Sequence, residues 1–147
     1  PLHQRGSSLR LIGVQAEGAA PLVKGAPVDN PETVATAIRI GRPVSASSAR
    51  RAVEITNGQF LSVSDEEILE AQRILASHNG IFAEPASCAP LAGLLKLKRL
   101  GKLPEGIRIV LVLTGNGLKD PDAVSDKGEP PIEIDGTVEA LSEVLGL

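Results

Sequence analysis

At 147 residues the chain is one domain's worth, long enough to bury about two-thirds of the surface that its unfolded form exposes. A formal charge of −3 with both signs mixed along the chain, and no basic block with interleaved aromatics, argue against a nucleic-acid partner. A single cysteine, Cys88, can form no internal disulfide and suits a reducing cytoplasm, while no apolar run approaches membrane length and no charged-then-apolar leader opens the chain.

Methionine, tryptophan and tyrosine are all missing, so the core is expected from Leu, Ile, Val and Ala, with Phe60 and Phe82 the only aromatics. The chain opens at Pro1 without a methionine, which fits a piece of something longer. Residues 1–8 are polar and irregular, and are expected to be loose. Leu9 to Ala16 reads as a strand, and Glu17 to Pro21 as the turn after it. Asn30-Pro31-Glu32 has the form of a helix start, with Asn30 as cap and Pro31 at the first helical position, predicting a helix over Glu32 to Ile40. A second helix is predicted from Ser45 to about Thr56, closed by Asn57-Gly58.

Gln59 to Val63 reads as a short strand. Ser64 and Glu67 form a capping box, and the helix Asp65 to His78 carries Ile68, Ala71, Ile74 and Leu75 as a core-facing stripe. Ile81 to Ala83 reads as a brief strand. Because Pro90 is tolerated only in a first turn, the next helix is predicted over Ala89 to Leu100. It is apolar nearly all round up to Lys96, which predicts deep burial of its first half. Asp122 to Ile134 is read as a surface loop, and Thr137 to Leu145 as a last amphipathic helix. The alternation of strands and helices predicts a three-layer α/β/α domain with a mostly parallel sheet.

The strand expected at the centre of that sheet is Ile109 to Leu113, an unbroken β-branched apolar run that lacks polar alternation and should be covered on both faces, flanked by Leu9 to Val14. It stops at Thr114-Gly115-Asn116-Gly117. Ligands of open α/β sheets sit just past the carboxyl ends of the strands, so the Thr114 hydroxyl is well placed to touch one. On the pattern alone, Thr114 reads more readily as a plain strand end followed by a glycine turn. Glu17 and Glu84 each follow an apolar stretch and are candidates for the same edge, or simply solvated turn carboxylates. Cys88, near a helix start, could be an activated thiol or a small buried hydrophobe. His3 and His78 are expected to be exposed, and two histidines with one cysteine argue against a transition-metal site. No Gly-x-Gly-x-x-Gly follows the first strand and no Walker-type loop exists.

Five stretches in register resemble the C-terminal part of the threonine synthase family. They are Gly13 to Pro21, Thr33 to Gly41, Val63 to Ile68, Gly80 to Ser87 and Leu113 to Pro121, and together they cover roughly Leu9 to Pro121. These are pyridoxal-phosphate enzymes of fold type II, the tryptophan synthase β-like fold. The resemblance implies pyridoxal 5'-phosphate as cofactor and O-phosphohomoserine as substrate, converted with water to threonine and phosphate. It implies that Thr114 hydrogen-bonds the pyridine nitrogen, and that Gly115, Glu84 and Ser87 belong to the cofactor-binding segment.

The family's Schiff-base lysine lies in a Ser-Phe-Lys-Asp-Arg-like motif that nothing here matches, and Lys119 does not correspond to it. The glycine-rich phosphate loop has no counterpart either. The chain is thus expected to be the last third to half of such an enzyme, inactive alone, and to self-associate or expose an apolar face where other strands would pack; the parent is expected to be a homodimer. A fragment of threonine dehydratase or cysteine synthase, and a non-catalytic α/β interaction domain, stay open as alternatives.

Overall fold

The computed structural model describes residues 9–120 and 132–147. Two strands, β1 (Ile12–Ala16) and β2 (Gln59–Val63), lie side by side in parallel, with Val14 opposite Leu61 and Ala16 opposite Val63. A parallel pair needs a long crossover. Here it is the stretch 17–58, which carries a 3-10 turn (Glu17–Ala19), the short helix α1 (Pro21–Lys24), a second 3-10 turn (Thr36–Ile38) and α2 (Ala46–Ile55). The helix α3 (Asp65–Asn79) follows β2, and α4 (Pro85–Arg99) follows α3 and packs along it. A last helix, α5, spans Val138–Leu145.

Local chemistry explains where α3 starts and stops. The Ser64 hydroxyl accepts from the Glu67 amide at 3.2 Å, and the Glu67 carboxylate accepts from the Ser64 amide at 3.0 Å, so two otherwise orphaned donors are satisfied together. Asp65, Glu66 and Glu67 sit in the first turn, where the helix dipole favours negative charge. The helix ends on Gly80 at φ 65°, a left-handed conformation that costs glycine little. The Glu67 carboxylate also reaches beyond its own helix. Lys96 Nζ donates to it at 3.2 Å and to the Ser62 carbonyl at 2.8 Å, and the Arg99 guanidinium pairs with the same carboxylate. One side chain therefore caps α3 and fastens α4 over the end of β2.

Helices cover both faces of the strand pair. Gly93 of α4 lies so close to the sheet that a β-carbon there would sit 2.8 Å from Val14 Cγ2 and 3.1 Å from Leu61 Cδ1. Gln15, the next residue along β1, points to the opposite face. Its Oε1 accepts from the Leu22 and Val23 amides at 2.8 and 3.2 Å, holding α1 against that side. The core between α3, α4 and the strands is built from small residues: Ala16, Val63, Ile68, Ala71, Leu75, Cys88, Ala89 and Ala92 are all buried. The three-layer α/β arrangement and its parallel pairing agree with the sequence reading.

Several expectations need correction. Ile109 to Leu113 is not an interior strand, and Leu9 to Val14 does not flank it. β1 pairs with β2 alone in a two-stranded sheet, and among the described residues no strand lies beside the run. Val110 is 79% exposed and Val112 65%, although Leu113 packs against the core. The predicted helix Glu32 to Ile40 is absent apart from the 3-10 turn. Tertiary bonds take its groups instead: the Thr33 hydroxyl donates to Asp65 Oδ1 at 2.5 Å, the Val34 amide donates to Asp65 Oδ2 at 3.1 Å, and the Glu32 amide donates to the Gly18 carbonyl at 3.2 Å.

Helix α4 begins at Pro85, not Ala89, and accommodates Pro90 in its interior. Pro90 removes one backbone donor. Burial of Pro85, Ala86, Ser87, Cys88 and Ala89 within the first turns offsets that loss. Ile81 to Ala83 forms no strand, only an isolated antiparallel bridge between Ala83 and Asn116. The turn expected over Glu17 to Pro21 is present as the 3-10 turn Glu17–Ala19, and α1, which was not anticipated, begins at Pro21. By contrast α2, β2, α3 and α5 fall where the pattern puts them, to within a residue or two. The apolar side of α5 is exposed, with Val138 at 75%. The segment 1–8 lies outside the described residues, as does most of the loop read over Asp122 to Ile134.

Candidate functional site

Thr114, Gly115, Glu84 and Ser87, spread over some thirty positions of sequence, meet in one cluster. Each arrives for a local reason. Ser87 lies in the first turn of α4, where its amide donates to the Glu84 carbonyl at 2.9 Å and where Pro85 fixes the helix start. Glu84 is the residue before the helix and is extended, φ −64° and ψ 155°. Its amide donates to the Gly115 carbonyl at 3.1 Å, while the Gly117 amide donates to the Phe82 carbonyl at 3.0 Å. The segments 82–84 and 115–117 thus run antiparallel and clamp each other.

Ser87 is the hub. It is 1% exposed. Its hydroxyl oxygen accepts from the Thr114 amide at 3.0 Å and from the Gly115 amide at 2.7 Å. It lies 2.9 Å from the Thr114 hydroxyl and 3.3 Å from Glu84 Oε1. Glu84 is itself 5% exposed, and Gly115 lies flush against its carboxylate. A β-carbon at Gly115 would come 2.8 Å from Glu84 Oε2 and nearer still to Oε1. Any side chain at Gly115 would require this carboxylate to shift. Thr114, in contrast, is exposed. The cluster therefore places the Thr114 hydroxyl at the end of the apolar run, on an exposed residue, with buried Ser87 2.9 Å behind it.

A hydroxyl so placed fits the ring nitrogen of a pyridine cofactor, a neutral acceptor that needs one donor and little room.

Other candidates separate from this cluster. Cys88 is buried, and burial pushes its thiol up from 9.0 to about 11, with the Glu84 carboxylate adding to the shift. It is the small buried hydrophobe of the two readings, not an activated nucleophile. Glu17 lies exposed in the 3-10 turn after β1, and none of the described hydrogen bonds joins it to the cluster. His78 is exposed near the end of α3, with Nδ1 2.9 Å from the Ser77 hydroxyl. His3 lies outside the described residues. Among the described residues no group of three or more His, Cys, Asp or Glu could hold a metal ion, and no helix is long and apolar enough to cross a membrane. A recess of about 230 Å³ lined in part by Pro21, Arg42, Pro43, Ala46 and Arg50 shares no residue with the cluster.

Two contributors escaped the sequence reading. Asn116 caps the 3-10 turn Gly117–Lys119, its Oδ1 accepting from the Leu118 amide at 2.9 Å. The Asn-Gly-Leu spelling was a usable signal for that Asx turn. The Thr36 hydroxyl donates to Asp120 Oδ2 at 2.5 Å, pinning the far end of the same loop to the crossover. A contact 84 positions apart in sequence leaves no local mark.

The model of the pyridoxal-phosphate dependent enzyme family matches residues 1–115. The threonine synthase of a Synechocystis strain is 55% identical over 120 residues, covering 81% of this chain and 31% of its own length. That of Mycobacterium leprae is 51% identical over 140 residues, covering 94% of this chain and 38% of its own length. That of Methanocaldococcus jannaschii is 46% identical over 144 residues, covering 92% and 36%. The chain spans about a third of the length of the curated relatives it matches, between 31% and 38% for these three. Among solved structures, a T.th. threonine deaminase superposes with a TM-score of 0.52 at 28% identity, over 65% of this chain and 36% of that one. A mutant O-ureido-L-serine synthase with O-ureido-L-serine bound superposes with a TM-score of 0.65 over 99% of this chain and 41% of that one. At 18% identity the second likeness is one of fold alone.

Proposed function

Because the chain belongs to the pyridoxal-phosphate dependent enzyme family, we propose that it forms the ring-nitrogen side of the cofactor site in a threonine synthase. The observation that carries this reading is the hydroxyl of exposed Thr114 backed by buried Ser87 at 2.9 Å. The curated relatives described above, threonine synthases at 46–55% identity, favour that enzyme over a dehydratase or a cysteine synthase.

When bound, pyridoxal phosphate supplies an electron sink for the eliminations and replacements by which O-phosphohomoserine loses phosphate and gains water to give threonine. Thr114 donates to the ring nitrogen. Gly115 lets the loop close, and Glu84 fixes the loop through its amide and packs its carboxylate beneath Gly115. A neutral hydroxyl does not stabilise a protonated ring as a carboxylate would, so the sink is moderate, which suits elimination and replacement over transamination. The anchoring lysine and the phosphate cradle are assigned to polypeptide outside this chain. The enzyme is read as cytoplasmic and homodimeric, with this chain alone self-associating through its exposed apolar run.

The test is Thr114→Val in the full-length polypeptide. It keeps the shape and removes the donor, and a hydrogen bond left unmade in a dry site is worth ~1–3 kcal/mol, or about ten- to a hundredfold. Cofactor affinity and turnover of O-phosphohomoserine are expected to fall together. Thr114→Asp is expected to raise transamination as a side reaction. Unchanged affinity and turnover in Thr114→Val would return Thr114 to a plain chain turn. The isolated chain, mixed with pyridoxal phosphate and reduced with borohydride, is expected to show no single stoichiometric lysine label and no turnover.

A further inference from the structure

The strands β1 and β2 run parallel, so both end on one edge of the sheet, the edge at which open α/β sheets take their ligands. The crossover comes back along that edge. Its segment 32–36 is bonded to the residues just past each strand. The Glu32 amide donates to the Gly18 carbonyl at 3.2 Å, and the Thr33 hydroxyl and Val34 amide donate to the Asp65 carboxylate at 2.5 and 3.1 Å. The fit against Gly18 is flush, since a β-carbon there would overlap the Glu32 carbonyl oxygen. Ala35, 0% exposed, belongs to the core and holds the middle of the segment down.

Thr36 comes next and is exposed, yet its backbone is fixed on both sides. Its amide donates to the Val34 carbonyl at 3.0 Å, and its carbonyl accepts from the Arg39 amide at 3.1 Å. Its hydroxyl donates to Asp120 Oδ2 at 2.5 Å. The Asp120 amide in turn donates to the Gly117 carbonyl at 3.1 Å, in the 3-10 turn that Asn116 caps. The loop that begins at Thr114 is therefore anchored at both ends, to α4 through Ser87 and to the crossover through Asp120. The second anchor ties it to the residues that follow β1 and β2.

We infer that the segment 32–36 is a brace along the ligand edge and that Thr36 is a positioning residue: through Asp120 it sets where the Thr114 hydroxyl stands relative to the ends of β1 and β2. The inference rests on the reading of Thr114 as partner of the ring nitrogen and adds the part of the crossover that aims it. A donor serves a bound ring only when held to within about 0.5 Å of its productive place. A single exposed bond that does little for the fold can thus matter for the ligand.

The test is a double-mutant cycle on cofactor affinity in the full-length polypeptide. Thr36→Val removes the hydroxyl and keeps the shape, and is expected to weaken pyridoxal phosphate binding by about two- to tenfold. Thr36→Ser, which keeps the hydroxyl, is expected to bind as the parent does. In a Thr114→Val background the Thr36→Val change is expected to cost no further affinity, because the group it places is already gone. A merely structural bond would lower the urea midpoint in both backgrounds and leave affinity alone. Unchanged affinity in Thr36→Val overturns the inference, as does a loss of the same size in both backgrounds, or a Thr36→Ser as weak as Thr36→Val. If Thr114→Val by itself leaves affinity untouched, the ring-nitrogen reading fails. If it weakens binding while Thr36→Val does not, only the role of Thr36 is lost.

Discussion

Two neighbouring stretches of this chain are treated in opposite ways. From Thr114 to Asp120 the loop is held nearly throughout: its backbone by Ser87, by Phe82 and Glu84 and by the Asn116 side chain, and the Asp120 side chain at its end by Thr36. Immediately before it, an unbroken apolar run lies bare, with Val110 and Val112 mostly exposed. The polar loop finds its partners within this chain. The apolar run does not, because its partners would have to be strands, and the described residues supply only two, already paired with each other. Satisfied hydrogen bonds can be assembled from a few local segments, whereas covering both faces and both edges of a central strand takes a whole sheet.

The sharpest way to break this contrast is Gly115→Ala. The added methyl would drive the buried Glu84 carboxylate away from Ser87, and overpacking of this kind costs about 1–3 kcal/mol. The expected outcome is a lower urea midpoint with an unchanged m-value; an unaltered midpoint would mean that the loop is not closed on Glu84. Thr36→Val attacks the other end of the loop and removes one exposed bond to Asp120. It is expected to cost about 0.5–1.5 kcal/mol by the same measurement.

On the bare side, Val110→Lys is expected to shift stability by no more than about 0.5 kcal/mol, as for an exposed position. It should nonetheless reduce concentration-dependent association in sedimentation, since it places a charge on an uncovered apolar surface. A large stability loss would show that the run is packed after all. The finest probe is Cys88, buried next to Ser87 in α4. Its neutral thiol is favoured by folding, so the associated stability is complete below pH 9.0 and is lost as pH rises through about 11. Alkylation of the folded chain at a pH of about 8 is accordingly expected to be slow, because little thiolate is present, and to report opening of the cluster.

The elements legible in the sequence were those whose signals are local. The Ser64 to Glu67 capping box, the Asn57-Gly58 stop and the apolar stripe of α3 depend on residues within a turn or two, and all appear in the structure. Helix α4 was read four residues short because Pro90 was weighed as a local breaker, while the burial of Ala86 to Ala89 that offsets it is tertiary. The stretch 32–40 carried good helix-start chemistry, yet Asp65 claims Thr33 and Val34 from across the chain. The four site residues were named from a resemblance, and their convergence is a fact of the fold. Spacing alone could not have shown that Ser87, between Glu84 and Thr114, is the centre of the group.

The crossover that joins β1 to β2 has a consequence for how this chain acquires its structure in time. Helix α3, with its own cap and stop, can form from nearby residues on a fast timescale, on the order of microseconds or less. The pairing of Ile12–Ala16 with Gln59–Val63 must wait until the stretch 17–58 has been looped back, and that closure entropy is met before any ladder bond repays it. The Asp65 carboxylate at the start of α3 is the natural first catch for the returning segment, since it holds Thr33 and Val34 from the middle of that loop. Once they are caught, the remaining search for strand pairing is shorter. A residue that looks like an ordinary helix-start acid in the finished molecule is then also the point from which the chain is reeled in.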